Sequence, residues 1–166
     1  MVLGIDPGTA ITGFGVVTTG RDQRATLLEC GVIRTRASAP LPERLLHIAR
    51  GVAGLIERHR PAVLALEDVF HGRNARTALV LGHARGVIMV TAAEAGVVVA
   101  EITPREVKRA VAGTGAATKP QVAAMVARLL RLATPPTPAD AADGVAIALT
   151  HLMRTTPRLR LAGAGR

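Results

Sequence analysis

The chain has 166 residues, 49% apolar and 20% charged, which excludes a disordered chain and favours one domain with a real core. The 21 Lys and Arg against 12 Asp and Glu give a formal net charge of +9, which favours a polyanionic partner, nucleic acid ahead of a membrane surface. The single cysteine, Cys30, excludes an intramolecular disulfide and suits a reducing compartment.

Residues 2–6 read as a short apolar strand ending in Asp6, followed at once by the Pro7-Gly8 turn. Residues 13–19 and 25–34 read as two more strands around a turn at Gly20-Arg21-Asp22, which together suggest an antiparallel meander. Residues 41–59 carry Leu45, Ile48, Val52, Leu55 and Ile56 at helical spacing, and Pro61 stops that helix. Ala62 to Glu67 is a nearly continuous apolar run, as expected of a strand buried on both faces.

A polar loop over 70–76 precedes a long helix from Ala78 to Ala95, and Val97 to Ile102 reads as a fifth strand. The stretch Ala78 to Ala100 is very apolar but carries His83, Arg85 and Glu94, which argues against a membrane span. The N-terminal residues lack the charged and apolar regions of a signal peptide, so a cytoplasmic location is expected.

Thr103-Pro104 opens a helix over 105–111, and Thr118 caps one from Lys119 to Leu132. Thr137-Pro138 opens the last helix, to about Met153. The order predicts an α/β fold in which three antiparallel strands and then two parallel ones form a mixed five-stranded sheet flanked by helices. A single domain over 1–154 is expected, with 155–166 as a basic, frayed tail.

Asp6 and Glu67 each end an apolar strand. If those strands lie parallel and adjacent, two carboxylates meet about 4.8 Å apart, and they repel unless something cationic lies between them. Asp140 and Asp143, three apart, share one face of the last helix. Thr137-Pro138-Ala139-Asp140 also reads as a capping box, which accounts for Asp140 more comfortably than for Asp143.

Four acids make an oxygen-rich site suited to Mg²⁺ or Mn²⁺, whereas the five His and one Cys show no zinc-ligand spacing. Two such cations about 4 Å apart can activate a water and stabilise the leaving oxygen of a phosphodiester. Four acids on a strongly basic small protein therefore favour a metal-dependent nuclease. Of the two aromatics, Phe14 sits in a strand and reads as core. Phe70 opens the polar loop His71-Gly72-Arg73-Asn74 and can either stack on a base or pack beneath the loop. Arg73 and Arg76 are candidates for phosphate contacts by charge and position.

Gly4-Ile5-Asp6-Pro7-Gly8-Thr9 with Thr12-Gly13-Phe14-Gly15-Val16-Val17 resembles the opening of the RuvC Holliday-junction resolvases. Leu66-Glu67-Asp68-Val69-Phe70 is similar to that family's second acidic segment. Arg105-Glu106-Val107-Lys108, Gly113-Thr114-Gly115 and Thr118-Lys119-Pro120-Gln121-Val122 resemble its basic segment, and Asp140 to Ala148 its closing acidic helix.

The resemblance implies an RNase H-like fold and Mg²⁺- or Mn²⁺-dependent cleavage of four-way DNA junctions with two ions per site. It implies a homodimer cutting two strands symmetrically, with coupling to the RuvA–RuvB branch-migration complex as a further expectation. It assigns catalysis to Asp6, Glu67, Asp140 and Asp143, and contact with the junction centre to Phe70. Lys108 and Lys119, the two lysines of the chain, inherit DNA contacts, and Lys119 stands against the scissile phosphate, where a compact ammonium fits better than a guanidinium. The long helix from Ala78 is the expected dimer face, because it is more apolar than one core face requires.

Three other readings compete: an actin-like or sugar-kinase-like ATPase, a YqgF-like RNase H relative acting on RNA, and a DNA-binding module without catalysis. The first needs a duplicated second domain that 166 residues cannot supply.

Overall fold

The computed structural model describes residues 1–68, 75–156 and 159. Among them a five-stranded sheet runs in the order β3-β2-β1-β4-β5, with β1 Val2–Asp6, β2 Ile11–Thr19, β3 Ala25–Arg34, β4 Val63–Glu67 and β5 Val98–Ile102. β1 pairs antiparallel with β2, and β2 with β3; β4 lies parallel to β1, and β5 to β4. The mixed sheet expected from the sequence is therefore present, and β2 begins two residues earlier than its apolar run indicates.

Side chains alternate across a strand, and that alternation divides the molecule in two. Leu3, Ile5, Phe14, Val16, Leu64 and Leu66 point to one face, where α1 (Leu41–His59) and α2 (Ala75–Glu94) cover them. Val2, Val17, Ala65 and Ile102 point to the other, under α3 (Pro104–Ala112), α4 (Lys119–Leu130) and α5 (Ala139–Thr155). By the same alternation Asp6 follows Val2 and Gly4, and Glu67 follows Ala65, so both acids belong to the α5 face.

α5 lies unusually close to the sheet because the contact is built from glycines. A Cβ on Gly144 would stand 2.6 Å from Phe14 Cα, one on Gly15 2.5 Å from Val145 Cα, and one on Gly4 2.8 Å from Ala148 Cβ. The interior glycine of α5, costly to a helix by about 1 kcal/mol in isolation, is thus the price of packing backbone against β2. The capping box read at Thr137 does not form. Pro138 occupies the N-cap without a side-chain cap, so Asp140 falls one place too early to answer Thr137.

α2 starts three residues before its apolar pattern does, and Arg76 therefore lies in a helix rather than in the polar loop. Only Ala84, Ile88, Thr91 and Ala92 of α2 are buried, leaving Leu79 and Val90 exposed on its outer side. Among the described residues no helix is long and apolar enough to cross a membrane. α5 extends to Thr155, and most of the expected tail lies outside the described residues.

Candidate active site

The parallel register Ile5↔Leu66 sets the next residues, Asp6 and Glu67, side by side at the carboxyl ends of the two central strands. Their side chains are hydrogen-bonded to each other. α5 brings Asp143 to the same place, and the start of α4 brings Lys119, whose Nζ donates to Asp143 Oδ2 at 2.7 Å. Gln121 Oε1 accepts from Thr118 N at 2.8 Å, which fixes the turn carrying Lys119.

These four side chains line a cavity of about 290 Å³ completed by Pro104, Val107, Lys108 and Val122. Lys108 thus stands at its wall. Asp140 is not among the lining residues, although its charge reaches Asp6. Its backbone packs on Gly13 at the outer end of the helix–sheet contact.

Burial pushes the Asp6 carboxyl up to about 6, with the charge of Asp143 adding to it. Burial likewise pushes Glu67 up to about 8, and the Asp6 charge reinforces it. Both shifts favour a proton on the pair over two adjacent negative charges. The bond to Asp143 raises the Lys119 ammonium above its ordinary value, against the opposing effect of burial.

Repulsion among the acids is relieved here by that proton and by Lys119. The described residues hold no ready-made cage of three His, Cys, Asp or Glu side chains. The donor set nevertheless fits a hard divalent cation: the carboxylates of Asp6, Glu67 and Asp143 line one cavity, and their crowding favours a cation among them.

Arg85 went unnoticed as part of this frame in the sequence. Its side chain is 12% exposed. It reaches from α2 to donate to the Glu67 carbonyl and to Glu101, with Asp68 Oδ1 at 3.5 Å. An arginine within an apolar helix was the available signal; the acceptors it serves lie 16 to 18 residues away. Arg76 opens α2 and borders a groove shared with Gly8 to Ile11. Phe70 and Arg73 lie outside the described residues.

Comparison with known proteins points to one family. The family model for crossover junction endodeoxyribonuclease RuvC matches residues 2–151. The enzyme of that name from Leifsonia xyli subsp. xyli is 52% identical over 92% of this chain and 74% of its own length. The one from Salinispora arenicola is 48% identical over 98% and 93%. Among solved structures, RuvC of T. thermophilus in complex with Holliday junction substrate superposes with a TM-score of 0.82 at 39% identity, covering 90% of this chain and 91% of that one.

These relatives favour neither the ATPase nor the RNA-directed reading. A strand-end carboxylate pair under a glycine-packed acidic helix, and a family match over nearly the whole sequence, lead to one assignment: the chain belongs to the RuvC family of crossover junction endodeoxyribonucleases.

Proposed function

We propose that this protein resolves four-way DNA junctions by divalent-metal-dependent hydrolysis of phosphodiesters, cutting two strands symmetrically as a homodimer. The observation that carries the reading is the convergence of Asp6, Glu67 and Asp143 with Lys119 in one cavity at the ends of the central strands. Asp6, Glu67, Asp140 and Asp143 would hold Mg²⁺ or Mn²⁺, the last two from one face of the start of α5. A bound pair of ions supplies an activated water and charge stabilisation at the leaving oxygen.

Lys119 releases Asp143 and presents its ammonium to the scissile phosphate, while Lys108 steers the strand along the cavity wall. Phe70 would meet unstacked bases at the junction centre, with Arg73 and Arg76 on neighbouring phosphates. The homodimer reading is supported by the outer stripe of α2, where Leu79, Gly82, His83, Gly86 and Val90 are all exposed and the two glycines leave open space. A two-fold enzyme also suits a two-fold substrate. Coupling to the RuvA–RuvB branch-migration complex belongs to the same reading.

The test is incubation with an end-labelled mobile four-way junction, with and without Mg²⁺ or Mn²⁺, beside linear duplex of the same sequence. Paired cuts in the junction that require the metal are expected. Cutting of the duplex at an equal rate, or cutting in a chelator, would overturn the reading.

A further inference from the structure

A cationic concavity separate from the carboxylate cavity lies at the acid-bearing end of the sheet, where β3 runs out against the first turns of α1. It measures about 220 Å³ and is lined by Arg34, Thr35, Arg36, Glu43, Arg44 and His47, with Ala39. Its lining counts three arginines against one carboxylate, Glu43. Arg34 and Arg36 are exposed, and neither forms an ion pair among the described residues.

The fold itself uses only Arg44. Its Nε donates to the Thr9 carbonyl at 3.0 Å and to Thr35 Oγ1 at 3.2 Å, and Thr35 Oγ1 donates to the same Thr9 carbonyl at 2.6 Å. Thr35 N adds a bond to the Ala10 carbonyl at 3.0 Å. The pocket is therefore bolted to the turn that follows Asp6, and any anion held there is in fixed register with the carboxylate site.

The strand pairing gives the offset. Arg34 sits opposite Ile11 and Asp6 opposite Gly13, so both lie at one end of the sheet, on strands two places apart. Two inter-strand steps of about 10 Å and a two-residue stagger of about 7 Å set the two backbone positions roughly 12 Å apart, which spans about four nucleotides at about 3.4 Å of axial rise each. Arginine matches phosphate oxygens with paired N–H donors, and among the described residues no hydrogen bond or ion pair uses those of Arg34 and Arg36.

We propose that Arg34, Arg36 and the free end of Arg44 form a docking site for the phosphodiester backbone of a junction arm, a few nucleotides from the scissile bond. This rests on the junction-cleaving reading and extends the DNA surface beyond the basic segment and the Phe70 loop. The site serves affinity and placement of the arm; bond cleavage stays with the carboxylate cavity.

The experiment compares wild type with Arg34→Ala/Arg36→Ala and with Arg34→Glu/Arg36→Glu. Junction affinity is measured in a chelator across a salt series, and single-turnover cleavage at saturating junction is measured with metal. The alanine pair should bind about tenfold more weakly regardless of DNA sequence, with a log–log salt slope lower by about 2, near 0.9 for each lost phosphate contact. The glutamate pair should bind more weakly still, and saturated cleavage should be unchanged for both.

Unaltered affinity and slope in both variants would overturn the proposal, leaving those arginines to a partner other than DNA. A loss confined to saturated cleavage would overturn it as well. Wild type that neither binds nor cuts the junction would instead sink the reading on which it rests, so the two failures are distinguishable.

Discussion

Glu67→Gln should make the metal-free protein more stable at pH 7.5 while abolishing cleavage. The Glu67 carboxyl, ordinarily near 4.5, is pushed up to about 8 by burial and by the Asp6 charge. A carboxyl raised in this way binds its proton more tightly in the folded than in the unfolded chain. Its stabilising contribution is complete below about pH 4.5 and is lost as pH rises through about 8.

At about 1.4 kcal/mol per pKa unit, the whole interval bounds the cost of ionising Glu67 at roughly 5 kcal/mol. About 4 kcal/mol of that is already felt at pH 7.5. The site is a cavity open to water, which screens the charge, so about 2 kcal/mol is a realistic gain for the amide. Glutamine is isosteric and donates to Asp6 in place of the shared proton.

For a chain of this size about 2 kcal/mol raises Tm by roughly 4–8 °C. The assay is thermal unfolding in chelator from pH 5 to 8.5, repeated with Mg²⁺ or Mn²⁺. Wild type should lose stability steadily over that range and regain it with metal; the variant should show a flatter profile and a small metal response. A variant with the wild-type pH slope, or one less stable at pH 7.5, would refute the account of a strained carboxylate pair.

Asp6→Asn should abolish cleavage with junction binding retained in a gel-shift assay, and residual metal-dependent cutting would exclude Asp6 from the metal site. Lys119→Ala should slow single-turnover cleavage at saturating DNA by about 100-fold, as for loss of one preorganised charge at the reacting group; a change in Kd alone would reduce Lys119 to a phosphate anchor. Gly144→Ala forces a methyl to within 2.6 Å of Phe14 Cα. It should cost about 1–3 kcal/mol, read as a lower denaturant midpoint; an unchanged midpoint would show that α5 can lift off the sheet freely. Arg85→Ala leaves the Glu67 carbonyl, Glu101 and Asp68 without their shared donor. It should weaken metal-induced stabilisation in thermal melts more than Arg85→Lys does, and identical melts for both variants would dismiss a positioning role.

The parts of this protein legible in its sequence are those governed by short-range periodicity. Apolar runs bounded by turn residues located the strands, and helical spacing located α1. The strand-end positions of Asp6 and Glu67 were legible too, while their common face depends on the parallel register of β1 and β4. The Thr103–Glu106 capping box also reads directly from residue types, with Glu106 Oε2 accepting from Thr103 N at 2.8 Å. Element boundaries set by polar residues were less visible. Arg76 looked like loop until the first turn of α2 proved to be polar.

Tertiary structure alone decided what depends on pairs distant in the chain. Gly144 is costly in an isolated helix, and its reason is Phe14, which lies against it from 130 residues away in sequence. Arg85 looked like an exception in an apolar helix until its acceptors on β4 and β5 were in place. The Arg34–Arg36–Arg44 pocket was invisible because its members are ordinary surface cations in isolation; only the pairing of β3 with β2 and the clamp on Thr9 set them beside the turn after Asp6. Chemical types and local periods are properties of neighbours in sequence. Close backbone approach, shared protons and the register of a charge against a carboxylate come into being only when the chain folds back on itself.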